Sequence, residues 1–213
     1  LWRAALPSLE AAFAARGQRL LYGTPWTADG LWAKGPILDL QGLQGLKVRV
    51  SPDPVIVDAL AALGAQPIAL SFLDVASHLD AGNLDAVLTS AEAGVNARLW
   101  RHFKTFTSLD ASIPLNVMHI NAARFDALPP DLQKAVLDAA KTASDFAWKT
   151  ARDRTLQNLR DMNSNGVTIV ESPADVREAL IEEGRRTLNE WLAKVGPAGQ
   201  TIIATYQQSL TRR

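Results

Sequence analysis

Short blocks of alternating and periodic apolar residues define the middle of the chain. In GLKVRV (45–50), apolar residues alternate with Lys47 and Arg49 as in a strand, and SPDP ends the pattern. An apolar helix is predicted directly afterwards, over residues 54–63. The same alternation continues with a strand in QPIAL (66–70), a helix over residues 73–80 and a strand in LDAVLTS (84–90). Strands separated by helices of this length predict βαβ units and a largely parallel, doubly wound α/β sheet.

The flanking segments predict further elements. A helix is expected before Gly17, a strand in QRLLYG (18–23), and a loop followed by an irregular or extended segment up to Ile37. A second strand is expected over residues 113–121. From Pro130 the pattern is helical for more than thirty residues, or about 50 Å, which is long enough to cross two small lobes.

Composition excludes several classes of function. The 213 residues contain 22 Lys and Arg and 22 Asp and Glu, so the balance of charge gives no reason to expect a nucleic-acid partner. The chain has no cysteine, which removes disulfides, thiolate nucleophiles and cysteine-bound metals. No apolar run reaches the roughly 18 residues of a membrane-spanning helix.

Motifs for catalysis, metals and cofactors are also missing from the sequence. The histidines are His78, His102 and His119. They form neither an HxxxH nor an HExxH pair, and the serines lack the GxSxG context of a nucleophile elbow. Neither GxGxxG nor GxxxxGK[ST] occurs. We therefore expect no metal site, no cofactor and no catalytic residue.

Two features suggest a ligand site. Arg49 lies one residue from the end of a strand, where α/β folds open their crevice, and its planar guanidinium matches a carboxylate. A structural salt bridge to Asp53 or another local carboxylate is an equally good interpretation. Trp26 and Trp32 flank a turn beside Asp29 and either line a pocket or clamp the turn.

Several segments, taken in order, resemble one family. They are GLKVRV, LGAQP, SFLDVASHLDAGNLDAVLTS, VNARLWRHFK and HINAARFDALPPDLQKAVLDAA. Together they closely resemble the substrate-binding subunits of TRAP transporters, the DctP-like family, over about residues 20–165.

The resemblance implies a periplasmic-binding-protein-like fold of two α/β lobes, with a long helix crossing both. Residues 1–27 and 115–152 would form a partial first lobe, and residues 28–114 and 153–213 the second. Family members begin with a strand–helix–strand portion that is not seen here. We therefore expect about 100 further residues upstream, by comparison with typical domain size.

The resemblance also assigns roles to residues. The arginine of the family's strand motif pairs with the ligand carboxylate, and that position is Arg49. Phe72 matches an aromatic residue that packs on the ligand, and Asn116 lies at the expected hinge. Thr89 and Ser90 replace a common asparagine–proline pair, so the ligand of those members is not transferred.

Some sialic-acid-binding members of the family use a second arginine, and its position in the family pattern falls near Asp29 of this chain. An anion at this position would repel a polyanionic ligand, which argues against sialic acid or a compact dicarboxylate.

The resemblance therefore implies a periplasmic receptor, expected to be a monomer, that binds a small organic acid and delivers it to TRAP membrane subunits. A two-lobed sensor that signals to a partner protein is the alternative interpretation, and an enzyme is the third.

Overall fold

A computed structural model describes residues 1–211, except for the side chain at position 152. The chain divides into two compact units. Unit 1 contains Leu1–Pro25, Leu115–Thr150 and the chain from Leu188 onward, and unit 2 contains Trp26–Pro114 and Ala151–Thr187.

Helices and strands are numbered along the described chain. The helices are α1 (Trp2–Ala14), α2 (Pro54–Ala62), α3 (Val75–Asp80), α4 (Ala91–Asn96), α5 (Ala122–Asp126), α6 (Pro130–Ser164), α7 (Ala174–Val195) and α8 (Pro197–Thr211). The strands are β1 (Gln18–Pro25), β2 (Asp29–Ala33), β3 (Lys47–Val50), β4 (Gln66–Ala69), β5 (Ala86–Ser90), β6 (Thr105–Ser108), β7 (Leu115–Asn121) and β8 (Thr168–Glu171). Short 3-10 turns occupy Leu40–Leu43, Phe72–Asp74 and Leu99–Arg101.

Unit 1 contains an antiparallel pair of strands, β1 and β7, which runs from Gln18 opposite Asn121 to Pro25 opposite Leu115. In this unit α8 packs against α1. The expected second lobe extended over residues 153–213, whereas the contacts place the chain from Leu188 onward in unit 1. This part of the chain includes α8, and its contacts with α1 belong to unit 1. Positions 212 and 213 of that expectation lie outside the described residues.

Unit 2 is built on a six-stranded sheet in the order β4-β3-β5-β2-β6-β8. The β3 strand pairs in parallel with β4 and β5, and β6 pairs in parallel with β8. The α/β fold class predicted from the alternating blocks is confirmed, but β2 is antiparallel to both of its neighbours. The sequence predicted a loop and an irregular segment here, because turn signals flank a strand of only five residues.

Both faces of this sheet are covered by buried apolar clusters. Because successive side chains of a strand point to opposite faces, neighbouring residues lie in different clusters. Leu31, Val48 and Leu88 lie in a core with residues of α2 and α7. Trp32 and Val87 lie in a second core, with residues of α3, α4 and the end of α6.

Trp32 and Gly94 fit together in the second core. Trp32 is fully buried, and its ring meets that of Phe106 edge-on, with 5.3 Å between the centroids. A Cβ atom on Gly94 would overlap the indole of Trp32. The glycine therefore allows α4 to lie directly against β2.

The long helix predicted from Pro130 is confirmed as α6, which continues for 35 residues without interruption. Its only proline is at the first position, where proline is tolerated, and it contains no glycine. The residues up to Thr150 belong to unit 1, and those from Ala151 belong to unit 2. Within residues 1–211, no helix combines the length and the apolar character needed to cross a membrane.

Candidate ligand-binding site

A cavity of about 310 Å³ opens in unit 2 beside the ends of three adjacent strands. It is lined by Trp26, Asp29, Arg49, Ser51, Phe72, Leu88, Thr89, Ser90, Ala93 and Pro114. A larger groove of about 550 Å³ lies between α2 and α7 of the same unit and contains none of the predicted site residues. The smaller cavity is therefore the candidate site.

The topology of the sheet explains why these residues meet. The carboxyl ends of the parallel strands β3 and β5 lie at one edge of the sheet. Because β2 is antiparallel to β5, its first residue lies at the same edge, and Asp29 pairs with Ser90. Asp29 and Arg49 thus come from strands on opposite sides of β5.

Arg49 is held by backbone carbonyl groups. Its side chain is 5% exposed, and Nε and Nη2 donate to the oxygen of Leu70 at 2.9 and 2.8 Å. Nη1 donates to the oxygen of Leu88 at 3.4 Å, and the guanidinium carbon lies 5.2 Å from the centroid of the Phe72 ring. These bonds use three of the five N–H groups, which leaves one on each terminal nitrogen.

The alternative interpretation of Arg49 was a structural salt bridge. None of the ion pairs within the described part of the chain includes Arg49. Asp53 instead accepts a bond from the N–H of Val55 and caps α2. Burial lowers the pKa of Arg49 below its ordinary value, and the charge of Asp29 offsets part of this effect.

Asp29 is fixed by two bonds to Ser112. The hydroxyl of Ser112 donates to Oδ2 at 2.6 Å, and the backbone N–H of Asp29 donates to the oxygen of Ser112 at 2.9 Å. Burial raises the pKa of Asp29, and the bond from Ser112 and the charge of Arg49 counteract it only partly.

This raised pKa predicts a pH-dependent effect of Asp29→Asn. The folded-state pKa of Asp29 is above its unfolded-state pKa. The contribution of Asp29 to the free energy of unfolding is therefore fully present below the unfolded-state pKa and is lost as pH rises through the folded-state pKa. We expect the unliganded variant to be more stable than the parent at about pH 7, with the difference shrinking towards about pH 3. Melting temperatures of both proteins across this range test the prediction, which a difference independent of pH would contradict.

The remaining predicted residues divide into two groups. Trp26, at 38% exposure, and the half-buried Phe72 provide apolar walls, and Thr89 is a buried hydroxyl residue beside them. Ser90 also lines the cavity, but its oxygen accepts a 3.1 Å bond from the N–H of Ala93 at the start of α4. The hydroxyl hydrogen of Ser90 is still available to a ligand.

Trp32 and Asn116 do not line this cavity. Trp32 lies in the second core described above, because its neighbours Leu31 and Ala33 take the opposite face of β2. Asn116 is an exposed residue of β7 in unit 1, opposite Thr24. Its role in ligand binding stays a prediction.

Sequence reasoning missed half of the lining residues. These are Asp29, Ser51, Leu88, Ala93 and Pro114. From the sequence, Asp29 is expected only to repel a polyanionic ligand. Its place opposite Ser90 depends on the pairing of β2 with β5, for which the sequence carries no local signal.

No three histidine, aspartate or glutamate side chains within residues 1–211 come together in a group that could hold a metal ion.

Comparison with known proteins gives consistent matches. The family model for bacterial extracellular solute-binding protein, family 7 (DctP) matches residues 6–194. The 2,3-diketo-L-gulonate-binding periplasmic protein YiaO of Escherichia coli K12 is 28% identical over 198 residues, which cover 92% of this chain and 59% of that protein. DctP7 of Bordetella pertussis, an extracytoplasmic solute receptor binding pyroglutamic acid, is 30% identical with a TM-score of 0.91, covering 97% of this chain and 68% of its own.

The ectoine-binding protein of the TeaABC TRAP transporter of Halomonas elongata has the same fold. Its TM-score is 0.87 at 20% identity, and the match covers 99% of this chain and 70% of that one. The chain spans 59% of the E. coli protein and between 46% and 50% of three other curated relatives. On the strength of the family match, the chain belongs to the DctP family of TRAP-type extracellular solute-binding proteins.

Proposed function

We propose that this chain belongs to an extracytoplasmic receptor that binds a small organic acid through Arg49 and delivers it to the membrane subunits of a TRAP transporter. The observation that carries the proposal is the state of Arg49, which is buried at the cavity without an ion-pair partner among the described residues. The relatives named above are binding proteins and receptors, so in this proposal the ligand is released unchanged.

A ligand carboxylate would complete the coordination of Arg49. Carbonyl oxygens satisfy three N–H groups but bring no negative charge. Asp29 influences the pKa of Arg49 but makes no ion-pair contact with it among the described residues. One N–H group remains on each terminal nitrogen, and a guanidinium can bind both oxygens of a carboxylate through two such groups. An acid therefore supplies acceptors for these N–H groups and places a negative charge in direct contact with the guanidinium.

The relatives support an acidic ligand. YiaO is named for 2,3-diketo-L-gulonate, and DctP7 of B. pertussis for pyroglutamic acid. Both are small carboxylic acids with polar ring or chain atoms. A cavity of about 310 Å³ lies at the lower end of the usual range for small-molecule sites, which suits ligands of this size.

A thermal-shift panel on the intact protein tests the proposal. Pyroglutamate, 2,3-diketo-L-gulonate and other small acids are compared with amide analogues in which the carboxylate is replaced. An acid present at 100 times its dissociation constant should stabilise the protein by about 2.7 kcal/mol, and its amide should have no measurable effect. Equal stabilisation by an acid and its amide would contradict a carboxylate clamp. Recovery of the ligand in unchanged form, checked by mass spectrometry, separates a receptor from an enzyme.

A further inference from the structure

We infer that the ligand carries an N–H group beside its carboxylate, and that Asp29 accepts the hydrogen bond from it. The ligand class would then be amino acids, imino acids and lactam acids, as opposed to plain carboxylic, hydroxy or dicarboxylic acids. This inference rests on the proposed function, because it takes Arg49 as the carboxylate site.

The first support is the separation of two opposite charges in one cavity. Asp29 and Arg49 both line it, on strands separated by β5, and within the described residues they form no ion pair with each other. Two charges that merely neutralised each other would be expected in direct contact. The two charges influence each other's pKa without direct contact, so a ligand with complementary charges can engage both.

The second support is the bonding of the Asp29 carboxylate. Ser112 occupies Oδ2 with its hydroxyl and also fixes the backbone of Asp29, so the side chain is held in one place. Residues in the described part of the chain donate no hydrogen bond to Oδ1. An ionised carboxylate only accepts hydrogen bonds, so a ligand group that meets it must be a donor.

The charges in the cavity also favour a ligand that has an N–H group beside its carboxylate. Arg49 and Asp29 together carry no net charge, so a simple carboxylate at Arg49 adds an uncompensated anion near a half-buried Asp29. A zwitterionic ligand keeps the cavity neutral and alternates the signs of the four groups. A lactam acid brings a neutral N–H donor, which still supplies a charge-assisted hydrogen bond. The pyroglutamic acid named for the B. pertussis receptor is a lactam acid.

Asp29 could instead serve only to hold Ser112 and to moderate the charge of Arg49. In that case its replacement would change the affinity for every acid by a similar factor. Selectivity between ligands with and without an N–H group is the property that separates the two roles.

The inference is tested by calorimetric titration of the intact protein with two pairs of isosteric ring acids. Pyroglutamate is compared with 5-oxotetrahydrofuran-2-carboxylate, and proline with tetrahydrofuran-2-carboxylate, so that a ring oxygen replaces the N–H group in each pair. In at least one pair the N–H member should bind about 10- to 100-fold more tightly. Asp29→Asn should remove most of this preference. Asp53→Asn, a change to a carboxylate outside the cavity, should leave the preference intact.

Each other outcome counts against a specific claim. If the two members bind the parent protein with equal affinity in every pair that binds, the inference is overturned while the Arg49 clamp stands. The same holds if neither pair binds although other acids of the thermal-shift panel do. If no acid of either set binds, the proposed function fails and the inference fails with it. The comparison in the parent protein needs no variant, so it is decisive even if Asp29→Asn folds poorly.

Discussion

Replacing Arg49 by alanine is expected to weaken binding of the organic acid by about 30-fold to several thousand-fold. The reason is that the ligand carboxylate would still be desolvated in the cavity but would lose its partner, at about 2–5 kcal/mol. Arg49→Lys keeps the charge and loses the two-pronged geometry, so its affinity should fall between those of the parent and Arg49→Ala. Calorimetric titration with the acid found in the thermal-shift panel gives the affinities directly.

Arg177→Ala is the matched control for these variants. Arg177 also belongs to unit 2 and donates to a backbone carbonyl, that of Ser172, but it does not line the candidate cavity. We expect its affinity for the acid to equal that of the parent. If Arg49→Ala binds as tightly as Arg177→Ala, the clamp assignment is wrong. If Arg49→Ala instead loses stability without its ligand and keeps its affinity, Arg49 acts only by donating to Leu70 and Leu88.

Trp32→Ala is expected to reduce the free energy of unfolding by about 3–5 kcal/mol, the usual cost of removing a fully buried tryptophan side chain. The indole fills the space between β2 and α4, and its loss would leave a cavity there. Trp32→Phe should cost less than Trp32→Ala, because it keeps an aromatic ring beside Phe106 and removes fewer buried atoms. It also removes an indole N–H that has no hydrogen-bond partner among the described residues.

Urea unfolding followed by far-ultraviolet circular dichroism measures these changes without relying on tryptophan emission. Trp26→Ala serves as the comparison, since Trp26 is 38% exposed and lines the cavity. It should alter ligand affinity and leave stability nearly unchanged. A Trp32→Ala variant with the stability of the parent and weakened ligand binding would show that Trp32 belongs to the binding site after all.

The helices and strands predicted from the sequence are most accurate in segments where several local signals agree. The run from β3 to β5 was found because each strand is bounded by turn residues and each intervening segment has helical periodicity, with Gly64 just past the end of α2. Arg49 was recognised because a cation in such a strand is costly unless it has a function or a partner. Both inferences used only residues that are close in sequence.

The rest depends on contacts between distant segments. The strand β2 carries few strand signals of its own and forms because β5 and β6 pair with it on both sides. That pairing turns Trp32 into the core and brings Asp29 to the cavity, so the sequence placed the tryptophan at the site and left the aspartate out. Ser112, which fixes Asp29, is 83 residues away along the chain.

The fit of Trp32 against Gly94 has a consequence for the evolution of this chain. A residue larger than glycine at position 94 fits only if the residue at position 32 is smaller than tryptophan. Substitutions at position 94 therefore depend on the residue at position 32. Paired changes at these two positions would shift α4, whose first turn carries the cavity residue Ala93. Among homologous chains, ligand preference can therefore diverge through coupled substitutions in the interior, while every residue that touches the ligand stays the same.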